Sequence, residues 1–334
     1  MRSVFALTTL ATALSLTSAF VPNSRGFEGY TGLASSVEAL SGEEINARLA
    51  AAKEKMAAKD KTSQALTKED LKVVFEDDHL IIVDKPAGVL CVPDRENNPS
   101  LSKVVFDAYG SEGMENKMVV HRLGMDTSGL VIFAKTMDTL RGMNSLFRTR
   151  KINRQYEALL CGNVEKDSGL INLPLMRDYE FPPYMRVSTD EHQKALIDLD
   201  PEVVGKQLLE KPKASLTKYD VVAREDIGGH PVSRVTLTSI SGRTHQLNVH
   251  CAAFGHPIVA DAVYGRGGDA APNGGLSDAE ADELVPNANR VGADLEKEIA
   301  AAAADMKMCV HAKSISFKHP VTKENVSVTS ESPF

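Results

Sequence analysis

The stretch HRLGMDTSGLVIFAKT, residues 121–136, decides how the rest of the chain is interpreted. Its first half is a polar loop with two glycines, which follows a valine pair and precedes the apolar run 130–134. Turn-forming residues between two apolar runs predict a strand, a tight loop and a second strand. Such a loop keeps its polar groups in a fixed geometry, as an active site requires. Gly124 is the unexpected residue, because it stands where a charged side chain would be most useful.

Composition and charge set the broad class of the protein. The chain has 334 residues, 43% of them hydrophobic and 25% charged, which is typical of a globular protein with one large or two ordinary domains. A net charge of −7 argues against a coat for nucleic acid but leaves room for a local basic groove. Four separated cysteines form no zinc-ligand spacing, so we expect buried thiols in a reducing compartment: Cys91, Cys161, Cys251 and Cys309.

The first 70 residues predict targeting segments and a linker. Residues 1–20 have one basic residue, an apolar stretch and small residues near the end, as in a signal peptide. The junction SAFVP, 18–22, is similar to the bipartite plastid presequences of algae such as diatoms. We therefore expect residues 1–36 to direct the chain to a plastid, with secretion or the endomembrane system as the alternative, and no membrane segment in the mature form. Residues 37–70 are expected to be a helical linker, since 42–60 lack a wide apolar face.

The body, residues 71–334, predicts an α+β fold. Strand patterns outnumber helices and do not alternate with them, which favours a mixed, mostly antiparallel sheet with flanking helices and a central cleft. Residues 245–250 are interpreted as one of the later strands. Residues 266–306 are Gly-rich, then acidic and Ala-rich, and are expected to be an exposed insertion.

Six stretches together resemble the RluA-type pseudouridine synthases, in that family's order. They are DDHLIIVDKPAGVLCVP (77–93), HRLGMDTSGLVIFAKT (121–136), INRQYEALLCG (152–162), LPLMRD (173–178), ISGRTHQLNVHCAAFGHPIVADAVYG (240–265) and CVHAKSISFKHP (309–320). The resemblance covers nearly all of 71–334. It implies a cleft that takes a flipped uridine from structured RNA, either rRNA or tRNA. The implied reaction breaks the N1–C1′ bond, turns the uracil and rejoins it through C5. It uses no cofactor or metal, and the enzyme is expected to be a monomer.

The resemblance also implies roles for individual residues. Arg122 matches an arginine that helps to displace the target base, and Tyr156 matches a tyrosine that stacks on it. The residues expected to bind substrate are His121, Arg122, Leu123, Tyr156, Arg243, His245, Gln246 and Asn248. Lys85 is either a phosphate contact or a plain surface lysine. A further phosphate-binding strip, with a solvated charge run as the alternative, consists of Arg148, Arg150, Lys151 and Arg154.

Two positions depart from the family pattern. Gly124 stands where the family has its aspartate nucleophile, and Asn248 stands where it has the arginine that pairs with that aspartate. Loss of the aspartate alone would leave an unpaired buried cation at a cost of roughly 3–5 kcal/mol, so the two changes are electrostatically coupled. Asp126 is either a substitute nucleophile or a capping residue of the turn.

Three hypotheses for the whole protein follow. The first is an active synthase that uses Asp126. The second is an RNA-binding homologue with impaired catalysis, for example an RNA-folding or ribosome-assembly factor. The third is a module that binds a partner through residues 266–306.

Overall fold

The computed structural model describes residues 40–114, 117–197, 199–286 and 288–334. The predicted presequence, residues 1–36, lies outside this part of the chain, and plastid targeting therefore stays a prediction. None of the helices in the described ranges is long and apolar enough to cross a membrane.

A nine-stranded sheet dominates the structure, and a separate two-stranded hairpin lies beside it. The spatial order is β1-β2-β3-β10-β4-β9-β8-β5, with β11 paired to β10; only β3 and β10 run parallel. The strands of the large sheet are β1 (Lys72–Glu76), β2 (Leu80–Lys85), β3 (Ser128–Ala134), β4 (Ile152–Cys161), β5 (Ser168–Asn172), β8 (Leu216–Ile227), β9 (His230–Ser239), β10 (Val310–Lys318) and β11 (Asn325–Thr329). The hairpin pairs β6 (Leu175–Arg177) with β7 (Met185–Val187). The predicted mixed, mostly antiparallel α+β fold is confirmed.

Eight α-helices in the described residues accompany the sheet. They are α1 (Gly42–Asp60), α2 (Leu101–Tyr109), α3 (Met137–Arg148), α4 (Asp190–Ile197), α5 (Pro201–Val204), α6 (Gln246–Ala253), α7 (Asp278–Leu284) and α8 (Ala293–Ala302). Helix α3 packs on β3, and α6 packs on β8 and β9. Thr136 caps α3 by accepting a hydrogen bond from the Thr139 amide, as its position before the helix predicts.

The apolar run that follows the opening loop lies at the centre of the sheet. Every residue of β3 is buried. Val131 and Phe133 belong to the largest core cluster, whereas Leu130 and Ile132 belong to a second cluster. A strand covered on both faces has a continuous apolar sequence instead of an alternating one. The loop before β3 is therefore attached to one of the most buried strands of the molecule.

Three segments differ from what the sequence predicts. Residues 246–253 form a helix rather than a strand, since a short segment buried on all sides has no clear period to separate the two. Helix α1 belongs to the same compact unit as the sheet instead of being a free linker, because Ile45 is buried among Tyr179, Val204 and Leu208. The segment 266–306 is only partly exposed, since it contributes core residues, including Leu276, Ala281 and Ile299.

Candidate functional site

The loop before β3 is held by the Lys-Pro-Ala-Gly turn that follows β2. The Met125 carbonyl accepts hydrogen bonds from the Lys85 Nζ at 2.8 Å and from the Gly88 amide at 2.9 Å. Gly88 has a φ of 83°, a conformation that favours glycine. Within the loop, the Thr127 amide donates to the Gly124 carbonyl at 3.2 Å and closes a turn. Two distant motifs of the sequence therefore form one rigid unit.

Lys85 is a fully buried side chain and not a surface lysine. Its ammonium donates to the carbonyls of Pro86, Val89 and Met125 at 2.7–2.9 Å. Burial lowers the pKa of Lys85 to about 8, and Cys91 and Asp126 oppose this shift. A buried group with three carbonyl partners is not available to RNA. Both expectations for Lys85, a phosphate contact and a plain surface residue, are therefore wrong, and the lysine instead positions the loop.

Gly124 is exposed at the tip of the turn, and its φ lies outside the left-handed region. A Cβ atom added there would meet only the Thr127 Oγ1, at 3.5 Å, which is an ordinary contact. The backbone therefore does not require glycine, and there is room for a Cβ atom. Two residues further on, the Asp126 carboxylate forms an ion pair with Lys59 of α1. Asp126 is thus engaged by a cation that the sequence did not point to.

Asn248 lies on α6 and bonds within the protein. Its Nδ2 donates to the Asp261 Oδ2 at 2.7 Å and contacts the Met308 Sδ at 3.3 Å. The other oxygen of Asp261 accepts the amides of Val263 and Tyr264. Asp261 is buried, and the asparagine amide satisfies its second oxygen without a cation. No hydrogen bond in the described part of the chain joins Asn248 to the Gly124 loop.

A histidine and a tyrosine meet beside this group. The His245 Nδ1 and the Tyr264 hydroxyl are 2.7 Å apart, and that hydroxyl also accepts the Met185 amide. Partial removal of water by the surrounding protein lowers the pKa of His245, although the residue keeps an exposed surface; Asp261 opposes this shift, while Arg177 and then Arg122 act in the same direction. Sequence reasoning missed Asp261 and Tyr264, although both lie in the quoted ADAVYG segment.

Gln246 is a buried residue whose side chain forms hydrogen bonds within the protein. Its Oε1 accepts hydrogen bonds from the Ser241 hydroxyl and the Arg243 amide, and its Nε2 donates to the Leu216 carbonyl and the Thr217 hydroxyl. The side chain is buried with every polar atom satisfied. Substrate binding by Gln246 stays a prediction, and these contacts engage its polar atoms within the protein. Gln246 fixes the loop that carries Arg243, whose Nε donates to the Ala214 carbonyl at 3.3 Å.

Three of the residues expected to bind substrate pack largely inside the protein: Tyr156, Leu123 and His121. Tyr156, on β4, is 8% exposed and shares the largest core cluster with Leu123. The His121 Nε2 accepts the Ile132 amide at 3.0 Å, and its ring packs on Phe147. Burial lowers the pKa of His121 to about 3, and nearby Arg154 acts in the same direction, so the ring is neutral at pH 7. These side chains form the support of the site.

The predicted basic strip divides into two parts. Arg150, Lys151 and Arg154 line one groove, whereas Arg148 is exposed in the last turn of α3 and does not line it. Arg154 is half-buried, with its guanidinium 5.2 Å from the centre of the Phe147 ring.

One cluster in the described residues has the geometry of a metal site. Ligand atoms of Asp178, Glu180 and His192 lie within 4.8 Å of one another. The Arg186 guanidinium is 3.3 Å from Glu180 and 3.9 Å from Asp178, so a cation already balances these carboxylates. The four cysteines are buried free thiols, as the sequence predicts.

Comparison with known proteins matches this fold and these motifs. Residues 79–253, just over half of the chain, match the model of a family described as RNA pseudouridylate synthase. The dual-specificity RNA pseudouridine synthase RluA of Pasteurella multocida (strain Pm70) is 32% identical over 266 residues, which cover 79% of this chain and 94% of that protein.

The chain belongs to the RluA-type pseudouridine synthase family.

A second relative, the dual-specificity RNA pseudouridine synthase RluA of Vibrio vulnificus (strain CMCP6), is 36% identical over 199 residues. These residues cover 59% of this chain and 70% of that protein. Among solved structures, human RNA pseudouridylate synthase domain containing 1 has a TM-score of 0.54 at 23% identity, covering 81% of this chain and 87% of its own. At this identity the structural match supports the fold alone. Membership of the synthase family implies isomerisation of uridine in RNA.

Proposed function

We propose that the chain binds structured RNA, either rRNA or tRNA, at the site formed by the Gly124 loop and the start of α6, and that its synthase reaction is impaired. Arg122 would help to displace a uridine, and Tyr156 would support the base. The proposal rests on the surroundings of Gly124 and Asn248, the two positions that depart from the family pattern. Gly124 offers no side chain for attack, and the amide of Asn248 is committed to Asp261 and Met308.

The ion pair of Asp126 weakens the alternative of an active synthase. A nucleophile must be free to reach the electron-poor carbon of the substrate. The Asp126 carboxylate is held by Lys59, whose helix would have to release it first. The alternative is kept because a single salt bridge on the surface is weak and can open.

Mapping of pseudouridine tests the proposal directly. Purified protein would be incubated with unmodified rRNA and tRNA transcripts, and binding would be measured on the same samples. We expect RNA binding with little or no pseudouridine. Efficient product formation that disappears in Asp126→Ala but is kept in Lys59→Ala would overturn the proposal and identify Asp126 as the nucleophile.

Restoring the missing pair gives a second test. Gly124→Asp should fit without strain because the nearest atom to the new Cβ lies at 3.5 Å. The double variant Gly124→Asp with Asn248→Arg should form pseudouridine at a rate well above that of the parent protein, because the arginine keeps the new carboxylate ionised. Gly124→Asn with Asn248→Arg is the matched control, since it adds the same shape without a carboxylate. If the restored pair folds and binds RNA but stays as inactive as this control, the missing nucleophile does not explain the impairment.

We also propose that residues 1–36 direct the chain to a plastid. A fluorescent fusion to this segment should enter plastids in an alga with secondary plastids. Its accumulation in the secretory pathway would favour the alternative.

A further inference from the structure

A groove of about 850 Å³ lies beside the loop site and has no role in the proposed reaction. Its walls come from β4, β9, β10 and β11 and from the turn between α3 and β4. Among the described residues, four cations line it and no aspartate or glutamate does: the cations are Arg150, Lys151, Arg154 and Lys318. None of the four belongs to an ion pair within the described ranges. In a chain of net charge −7, this concentration of unpaired positive charge selects an anionic ligand.

The rest of the lining suits a nucleic acid strand. Serine, threonine and asparagine side chains from the strands supply hydrogen-bond donors, and Ile152 and the exposed Ile240 supply apolar surface. Cations that follow a backbone, together with apolar surface for bases, are the usual components of a site for single-stranded nucleic acid.

The backbone at Arg150 adds an independent observation. This residue has a φ of 55°, and the Lys151 amide donates to the Leu146 carbonyl at 2.9 Å, as at a helix end that normally carries glycine. A left-handed conformation costs a residue with a Cβ atom roughly 1–2 kcal/mol. This position therefore holds an exposed cation where glycine would be more stable.

We propose that this groove binds one strand of the substrate RNA, away from the nucleotide held at the loop. His121 lines the groove, and the next residue, Arg122, belongs to the loop site, so a strand leaving the loop can continue into the groove. The inference rests on the proposed function, because it assigns a second RNA-binding surface to the same substrate.

Salt-dependent binding measurements test the groove. The probe is a labelled tRNA transcript, with a short uridine-containing single strand as a second probe. Lys151→Ala with Lys318→Ala should weaken binding roughly tenfold, and the slope of log affinity against log salt should fall by about 0.7 for each phosphate that the variant no longer neutralises. Lys151→Arg with Lys318→Arg should keep the affinity and the salt slope of the parent protein. Lys206→Ala with Lys211→Ala removes the same charge outside the groove lining and is the control.

Arg150→Gly separates folding from binding. Glycine relieves the left-handed backbone, so the free energy of unfolding should stay equal or rise while RNA affinity falls. If no variant, including the parent, binds RNA, the proposed function fails. If the parent binds RNA but the groove variants match the Lys206/Lys211 control in affinity and slope, the groove inference alone is overturned. Crosslinks from bound RNA to peptides containing 150–154 or 316–318 would support it, whereas crosslinks confined to 121–128 would oppose it.

Discussion

Lys85 shows how a single residue can take a role opposite to the one its chemistry suggests. A lysine in a polar turn is usually a surface cation, yet here its aliphatic chain and its ammonium are both buried. Three backbone carbonyls replace the water that would otherwise surround the charge. One of them belongs to Met125, so the lysine fixes the loop that carries Gly124 and Asp126.

Replacement of Lys85 by methionine should destabilise the protein. The methionine keeps most of the volume but leaves the Pro86 and Val89 carbonyls without a donor, at an expected cost of about 3 kcal/mol in the free energy of unfolding. Urea unfolding measures this cost. Lys72→Met, at an exposed lysine that pairs with Asp84, should change stability by less than about 1 kcal/mol. Equal decreases in the two variants would contradict the positioning role of Lys85.

At the scale of elements, helix α1 connects two regions that the sequence keeps apart. A capping box of Ser41 and Glu44 begins the helix, and Ile45 anchors it among buried residues near α5. Its last turn supplies Lys59 to Asp126. The helix contacts the Gly124 loop although most of its surface is polar, because one buried side chain and a few polar contacts attach it.

Loosening α1 should be visible by hydrogen exchange. Ile45→Ala raises intrinsic helix propensity but removes a buried side chain at a cost of about 2–4 kcal/mol, so exchange within 42–60 should become faster. Exchange in the loop 121–127 should rise as Asp126 loses its partner. Met56→Ala, at a 41% exposed position of the same helix, should leave the exchange rates of the helix and of the loop unchanged. Unchanged exchange in Ile45→Ala would mean that this side chain does not hold the helix.

At the scale of the whole molecule, buried neutral histidines make the fold sensitive to acid. His250 is fully buried, with ring contacts to the Thr217 hydroxyl and the Leu173 carbonyl, and burial lowers its pKa to about 4. Burial also lowers the pKa values of His121 and His192 to about 3. Below pH 6.5 the unfolded chain binds protons that the folded protein does not bind, and stability therefore falls as the pH falls.

A histidine substitution tests this dependence. His250→Gln should unfold more easily at pH 7 because it disturbs the buried hydrogen bonds. Between pH 6.5 and 4, however, its free energy of unfolding should fall less steeply than that of the parent. The two slopes should differ by up to one bound proton, which corresponds to about 1.4 kcal/mol per pH unit. Chemical unfolding at several pH values gives both slopes. Identical slopes in the variant and the parent would show that His250 does not cause the acid sensitivity.

The amino-acid sequence by itself determined the fold class and the family. Strand runs such as 130–134 are apolar because both faces are buried, and glycine-containing turns have local signatures, so both are visible without coordinates. The motifs also pointed to the loop at Gly124 and predicted that Gly124 and Asn248 depart together from the family pattern. These features depend on residue type and spacing along the chain, which the sequence contains.

Only the tertiary structure decided which side chains face solvent and which meet. The burial of Lys85 and Gln246 depends on carbonyls and hydroxyls from distant segments, which no local pattern reveals. The helix at 246–253 also needed the structure, since a segment buried on all sides lacks a distinguishing period. The same holds for Lys59 beside Asp126, Asp261 beside Asn248, and the groove lined by cations. Each arises from contacts between residues far apart in sequence, and such contacts are fixed by packing of the whole sheet.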